Sequence, residues 1–380
     1  MNRIYADHAA TTPMLPEVTS VMIKVMEETY GNPSSIHQTG RAARKILDDA
    51  RTLIADKLGV HFNEIHFTSG GTEADNLAIF GTVEAMKHKG NHIITTAVEH
   101  HAVLHPCEEL ERRGFDVTYL GVDENGRISI EEFKAALRDD TILVTVMFGN
   151  NETGTLQPIS EIEQHLKSHQ AAFHTDAVQA FGLMDLQVAD LGIDLLSVSS
   201  HKINGPKGAG LLYIKNSTPH QPTVFGGEQE RKKRAGTENL AAIAGFAEAV
   251  KYAFDHQEEK AKHLVKIKQT LLSELNDAGV QYEVNGSLEH ALPHVINLSI
   301  PGAEVESLLI NLDLEGIAAS SGSACTAGSV EPSHVLSAMY GPESDKLFNS
   351  VRFSFGMNNT AEDAVTIAQS LKKMTARFSG

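Results

Sequence analysis

Between about residues 60 and 215, short β-like runs alternate with helical patterns, and this alternation narrows the possible folds more than any other feature of the chain. Strand candidates are Glu64–Thr68, His92–Thr96, Asp116–Leu120, Ile142–Met147, Ala172–Thr175, Leu195–Ser199 and Gly210–Ile214. Helical patterns occupy Glu73–His88, His101–Arg113, Ile130–Leu137 and Ile159–His169. Neighbouring parallel strands need a crossover, usually a helix, so the pattern predicts a largely parallel or mixed sheet covered on both faces. Ligands of such sheets collect at the carboxyl ends of the strands.

The rest of the chain reads differently. Residues 240–275 form one long helical stretch, polar over His256–Lys262, and are expected to lead into a second domain. Short strands follow around Gln281–Val284 and Val295–Ser299, then a helix over Glu304–Glu315, a loop over Ala319–Val330 and a strand holding Arg352–Ser354. The expected division is a large domain over residues 15–259 and a smaller α+β domain made of residues 1–14 and 260–380.

With 380 residues and 41% hydrophobic content the chain is long enough for two domains and a large core. Lys and Arg total 32 against 49 Asp and Glu, a net charge of −17, which argues against broad binding to nucleic acid or anionic membrane. The run Arg231-Lys232-Lys233-Arg234 is a local exception whose plainest reading is a solvated loop. Two cysteines are no disulfide framework. The N-terminus has no apolar signal core and no run approaches 18 apolar residues, so a cytoplasmic location is expected. No zinc-type Cys/His spacing occurs, and no metal site is expected.

Chemistry concentrates just beyond the strand candidates. In Ser197–Gly208, Lys202 follows an apolar run that ends a strand. A lysine there, partly desolvated, has a lowered pKa and can form a Schiff base with an aldehyde, most commonly pyridoxal phosphate. A surface lysine in a Gly/Pro loop is the alternative. Gly70-Gly71-Thr72-Glu73 lies between a strand and a helix, where exposed backbone N–H groups suit a phosphate, though a simple turn explains it as well. Asp176 ends another strand and could pair with a protonated pyridine nitrogen, or could merely cap a helix. Gln179 lies three residues on, within reach of a ring oxygen. Lys202 follows Asp176 by 26 positions, room for one helix and one strand, which would return both to the same sheet edge. His100 could stack on a ring and act as acid and base, or be an ordinary histidine. The amides of Asn150-Asn151 could orient a ring or a carboxylate, or form an Asn-rich turn.

A second reactive centre is suggested by Ser320–Ser329, small residues around the single thiol of Cys325. Such a stretch is expected to be mobile and its thiol accessible, although an inert loop thiol is also compatible. The other cysteine, Cys107, sits in a helical pattern and reads as packing.

Taken together, these segments resemble the NifS/IscS-like cysteine desulfurases of the class V aminotransferase group, fold-type I enzymes dependent on pyridoxal phosphate. The resemblance runs from Ile4–Pro13 through Gly31–His37, Thr68–Asn76, Glu99–Leu104, Asn150–Gly154, Thr175–Gln179, Ser199–Gly208, Arg234–Asn239 and Ser321–Pro332 to Val351–Gly356. It implies that Lys202 attaches the cofactor, that Gly71, Thr72, Ser199 and His201 bind its phosphate, and that Asp176 and Gln179 tune the ring while His100 stacks on it. It implies a homodimer in which Thr237 reaches the partner's phosphate. Asn32, Asn151 and Arg352 would hold the substrate, with Arg352 on its carboxylate. Cys325 would accept sulfur from L-cysteine, leaving L-alanine and a persulfide that passes to an iron–sulfur scaffold protein or a tRNA-thiolating enzyme. Selenocysteine lyase, or another transaminase or lyase on the same fold, is the alternative activity, and an idle scaffold the alternative class. The chain departs from the family pattern at Ser354-Phe355-Gly356-Met357, where a second arginine is usual. Milder departures are Phe148-Gly149 and Ser200.

Overall fold

The computed structural model describes residues 3–188, 190–321 and 332–376. A short strand β1 (Ile4–Tyr5) opens the chain, followed by helices α1 (Pro16–Glu28) and α2 (Gln38–Leu58). The main sheet then takes seven strands: β2 (Ile65–Thr68), β3 (His92–Thr96), β4 (Asp116–Leu120), β5 (Thr141–Thr145), β6 (Ala172–Asp176), β7 (Leu195–Ser199) and β8 (Gly210–Ile214). Their spatial order is β2-β8-β7-β6-β5-β3-β4. All pairings are parallel except those of β8, which runs antiparallel to both β2 and β7. The expected mixed sheet is therefore present, and four of its strands have the expected bounds.

Helices α3 (Gly71–Met86), α4 (His101–Arg112), α5 (Ile130–Ala136) and α6 (Ile159–Leu166) connect these strands. Strands β5 to β8 are buried along their whole length. That explains why they read as apolar runs and not as alternating patterns. One core lies under α1, α2 and α7 (Leu240–Asp255), with Phe173, Phe181 and Phe246 among its largest members. The other face is closed by α3 and α4, where Leu77, Ile79 and Cys107 pack together. Cys107 is thus a packing residue, its thiol pushed up to about 12 by burial.

The expected single helix over 240–275 is two helices, α7 and α8 (Gln257–Asp277), broken at His256. The break falls where the burial target changes. Residues of α7 pack into the large core, whereas Leu264, Ile267, Leu271 and Leu275 of α8 join a separate cluster. That second cluster also holds Ile4, Ala6, strand β10 (Val295–Ser299), helix α9 (Val305–Leu314), strand β12 (Ser350–Ser354) and helix α12 (Ala361–Thr375). Strand β10 is central in a three-stranded antiparallel sheet, between β12 and β9 (Glu283–Asn285). Strand β1 pairs in parallel with β11 (Ile317–Ala318). Helices α10 (His334–Tyr340) and α11 (Lys346–Asn349) complete the described elements.

Strands β3 and β4 lead outward from the middle of the sheet, and β5 then returns on the other side of β3. A crevice forms at the carboxyl edge where strand order reverses in this way. The N-terminal segment and β12 lie against that edge. His8 N donates to Ser354 O, and Thr12 Oγ1 donates to His201 O.

Candidate active site

A cavity of about 300 Å³ opens at this crevice. Seven segments distant in sequence supply its walls: Ala9 and Ala10, Gly71 and Thr72, His100, Asn151, Asp176 with Gln179, Ser199 with His201 and Lys202, and Arg352.

Lys202 is placed by a tight turn. Ser200–Lys202 form one turn of 3-10 helix after β7, Ile203 N and Gly205 N both return to Ser200 O, and Asn204 adopts a left-handed φ of 67°. The Asn204 N–H is held by Thr12 Oγ1 at 2.7 Å, so the N-terminal segment braces the turn. Lys202 Nζ donates to the carbonyls of Ala9 and Ala10. The amine is thus half-buried and held by neutral acceptors.

Asp176 ends β6, buried, with Oδ1 accepting from Val178 N at 2.8 Å. Both readings of this residue hold in part: it closes a local turn and it lines the cavity. Burial raises its pKa, while the Val178 N–H and the Lys202 charge oppose that rise. His100 is the N-cap of α4. Its Nδ1 accepts from Ala102 N at 3.1 Å, so in the neutral ring the proton sits on Nε2. Burial, Lys202 and the rings of His101, His334 and His105 push its pKa down to about 4, which keeps it neutral. His201, bonded through Nδ1 to Thr11 Oγ1 at 3.1 Å, is likewise lowered to about 4 by burial and by Lys202 and Lys207.

Arg352, on β12, is 4% exposed. Its guanidinium donates to Asp7 Oδ1 at 2.7 Å and to Asn151 O at 2.9 Å. Of the two asparagines, Asn151 lines the cavity, whereas Asn150 is consumed by the turn. Its Oδ1 accepts from Glu152 N and Thr153 N, and its amide donates to Val98 O.

Two expected residues are not brought here. Asn32 is exposed, with Oδ1 accepting from Ser34 N. Thr237 lies in another depression with Ser69, Gly208 and Arg234, the last in a two-point pair with Glu73. Cys325 and residues 322–331 lie outside the described residues. Three residues that line or serve the cavity escaped sequence reasoning: Asp75, Asp7 and His294. Asp75 stands one helical turn beyond Gly71, a spacing that could have flagged it. Asp7 and His294 carry no such local signal.

The residues present fit pyridoxal phosphate. Helix α3 begins at Gly71 beside Ser199, and its first N–H groups have no intrahelical acceptor. A Cβ on Gly71 would come within 2.9 Å of Val178 Cγ2, so only glycine keeps this corner of the cavity open. An amine, a buried carboxylate and a neutral imidazole face the remaining space. Among the described residues no group of three or more His, Cys, Asp or Glu side chains is arranged to hold a metal ion, and no helix is long and apolar enough to cross a membrane.

Residues 4–366 match the family model described as aminotransferase class-V. The chain is 59% identical over 378 residues to the putative cysteine desulfurase IscS 1 of Bacillus subtilis (strain 168), covering all of both chains. It is 46% identical over 360 residues to the cysteine desulfurase IscS of Dictyoglomus turgidum, covering 95% of this chain and 91% of that one. Among solved structures, a NifS-like protein superimposes with a TM-score of 0.92 at 34% identity, covering 98% of this chain and 99% of the other.

Proposed function

The chain belongs to the class-V aminotransferase family, and from that premise we propose that it is a pyridoxal-phosphate-dependent cysteine desulfurase with Cys325 as its sulfur acceptor. The observation that carries the reading is the convergence of Lys202, Asp176, His100 and Arg352 on one cavity. A scaffold has no need for a half-buried amine facing a buried carboxylate.

When bound, the cofactor supplies an aldehyde for linkage to amines and a ring that absorbs negative charge from the substrate's α-carbon. The protein residues do the rest. Lys202 Nζ would attach the cofactor and, once released, move a proton to and from the α-carbon. Gly71, Thr72, Ser199 and His201 would hold the phosphate. Asp176 would hold the ring's protonated nitrogen, and that positive partner would supply the charge stabilisation that burial denies the carboxylate. His100, with its proton on Nε2, would stack on the ring and pass protons to and from sulfur. Arg352 would grip the substrate carboxylate beside Asn151. Asp7 keeps the guanidinium oriented and partly neutralised, which selects a single carboxylate over a dianion.

The overall change balances without a further reactant. The carbon–sulfur bond of L-cysteine breaks, and a sulfur–sulfur bond forms on Cys325. The substrate carbon keeps the electron pair and takes up the proton released by the thiol, giving L-alanine and a persulfide. Cys325 is five residues beyond Ser320, a tether of at most about 18 Å. Ser320 pairs with the backbone of Arg352, so the tether starts at the site. The persulfide would pass to an iron–sulfur scaffold protein or a tRNA-thiolating enzyme. A homodimer accords with the exposure of Tyr30, Ile36 and Phe225, large apolar side chains left in solvent by the single chain. In that assembly Thr237 would serve the partner's phosphate, and Asn32 would complete the substrate site.

The test is mass spectrometry of the chain after brief exposure to L-cysteine, with alanine assayed in parallel. One added sulfur on the Cys325 peptide together with alanine release is expected. Cys325→Ser should keep the cofactor's visible absorbance and lose both products. Lys202→Ala should lower turnover by more than about 10⁴-fold. Normal sulfur delivery by Cys325→Ser would overturn the assignment.

A further inference from the structure

Gln179 is a cavity residue whose action depends on which way round its amide lies. The NH₂ end can donate to an acceptor in the cavity, and the oxygen end cannot. In the structure Gln179 Nε2 donates to Ala9 O at 2.9 Å, and Gln179 Oε1 lies 3.1 Å from His294 Nε2. Ala9 O is also an acceptor of Lys202 Nζ, so the carbonyl ties amide and amine together.

His294 stands behind this arrangement, just before β10, and is 5% exposed. It does not line the cavity. Its backbone carbonyl accepts from Phe355 N, which pins it beside β12. Its Nδ1 has no partner among the described residues. A proton on Nδ1 would therefore be an unmet donor and would leave two lone pairs, those of Nε2 and Oε1, facing each other. A proton on Nε2 removes the conflict and makes a hydrogen bond. A charged ring is disfavoured by burial and by Lys260, Lys268, His8 and Arg352 around it. Lys260 and Lys268 are themselves buried, so their charges are little screened.

We propose that His294 is a positioning residue: its Nε2–H donates to Gln179 Oε1 and so holds the Gln179 amide with its NH₂ toward Ala9 O and the cavity. The inference rests on the pyridoxal-phosphate reading of the cavity. It deepens that reading by making a residue of the smaller α+β portion responsible for a donor offered by the large sheet. One hydrogen of the amide satisfies Ala9. The other is available to the ring oxygen of the cofactor. Without His294 the amide is free to turn, and its oxygen would then face two acceptors.

The bound cofactor reports the result directly. The pH titration of its visible absorbance should shift in His294→Leu. With the donor lost, the ring oxygen carries more charge and holds the neighbouring proton longer, so the midpoint rises by about one pH unit. Cofactor affinity of the apo-protein should fall by about tenfold. His294→Gln, whose amide nitrogen can replace Nε2, should restore most of both. In a Gln179→Leu background, His294→Leu should add no further shift, because the two residues act as one unit. A merely structural histidine would give effects that add. A parent-like midpoint in folded His294→Leu, or additive shifts in the double variant, overturns the proposal. Parent protein that takes up no cofactor would instead overturn the functional reading. In that case nitrogen-15 NMR of the apo-protein decides on His294. A slowly exchanging imidazole N–H that moves in Gln179→Leu supports the hydrogen bond, and its absence overturns it.

Discussion

Arg51 and Glu230 are buried about as deeply as Asp75 and Glu99, yet the two sets of charges are built in opposite ways. Arg51, on α2, meets Glu230 through two hydrogen bonds of 2.7 and 2.8 Å. Glu230 Oε2 also accepts from Phe67 N, and Arg51 donates to Ile65 O. The guanidinium lies 4.7 Å from the Phe67 ring centre. Both oxygens of the acid are thus used. At the cavity wall and behind it, by contrast, Asp75 Oδ1 and Glu99 Oε2 have no hydrogen-bond partner among the described residues, and the charge of Asp176 bears on both acids. His174 lies 3.6 Å from Asp75, but burial lowers its pKa to about 3, so it brings no charge. The first cluster holds a backbone in place. In the second, the charge of Asp176 bears on Asp75 and Glu99, and the Lys202 charge offsets burial at Asp176 itself. Buried titratable groups left unmet beside a cleft are a feature of functional sites.

The paired cluster has strain to hold. Glu230, Arg231 and Lys232 take φ values of 45°, 54° and 65° in succession, a left-handed run without glycine. Such residues cost about 1–2 kcal/mol each. Arg231 also leans on the Phe62 ring, 4.8 Å from its centre. The run Arg231–Arg234 is therefore more than a solvated loop. Its first residue follows the clamp, and its last pairs with Glu73 in the first turn of α3.

The comparison predicts opposite responses to removing charge. Arg51→Ala leaves Glu230 buried and unpaired and should cost about 3–5 kcal/mol, read as a lower urea midpoint. A loss under about 1 kcal/mol would show that the clamp is slack. Removing charge from the second cluster should help. Burial raises the Glu99 pKa from 4.5 to about 8, with the charge of Asp176 adding to the rise. Between those values the folded chain holds a proton that the unfolded chain has released. Stability from this group is full below pH 4.5 and is lost as pH rises through 8. Glu99→Gln keeps the acceptor for Thr96 Oγ1 and Met147 N and removes the slope. It should gain about 1–3 kcal/mol over the parent at pH 8 relative to pH 4.5, measured by denaturation at several pH values. An unchanged slope would mean that Glu99 is not buried as an acid. The smallest effect belongs to Asp75→Asn. Burial and the Asp176 charge raise the Asp75 pKa well above the usual carboxylate range, so the amide mimics the protonated acid. Its thermal midpoint at neutral pH should correspond to a change under about 1 kcal/mol. A large loss would assign Asp75 a charge.

Much of the site was legible because it is local. Asp176 ends a strand, and Lys202, His100 and the Gly70-Gly71-Thr72 turn lie within four residues of one, and a strand's end fixes its neighbours at the sheet edge. Asn150 and Asn151 show the limit of such reading. Adjacent amides looked equivalent, but the turn consumes Asn150 and leaves Asn151 at the cavity. The break at His256 was also hidden, since both halves are good helix and only the division of the two cores separates them.

The amino-acid order by itself determined the alternating elements, the strand ends and the residue types waiting there, because each depends on neighbours a few positions away. Only tertiary structure decided that Asp7 would meet Arg352, 345 positions on, and that His294 would reach Gln179, 115 positions back. It also decided that Arg51 would find Glu230 across 179 positions. These pairs form when separate layers pack, and no periodicity along the chain records which buried charge or amide will lie opposite another.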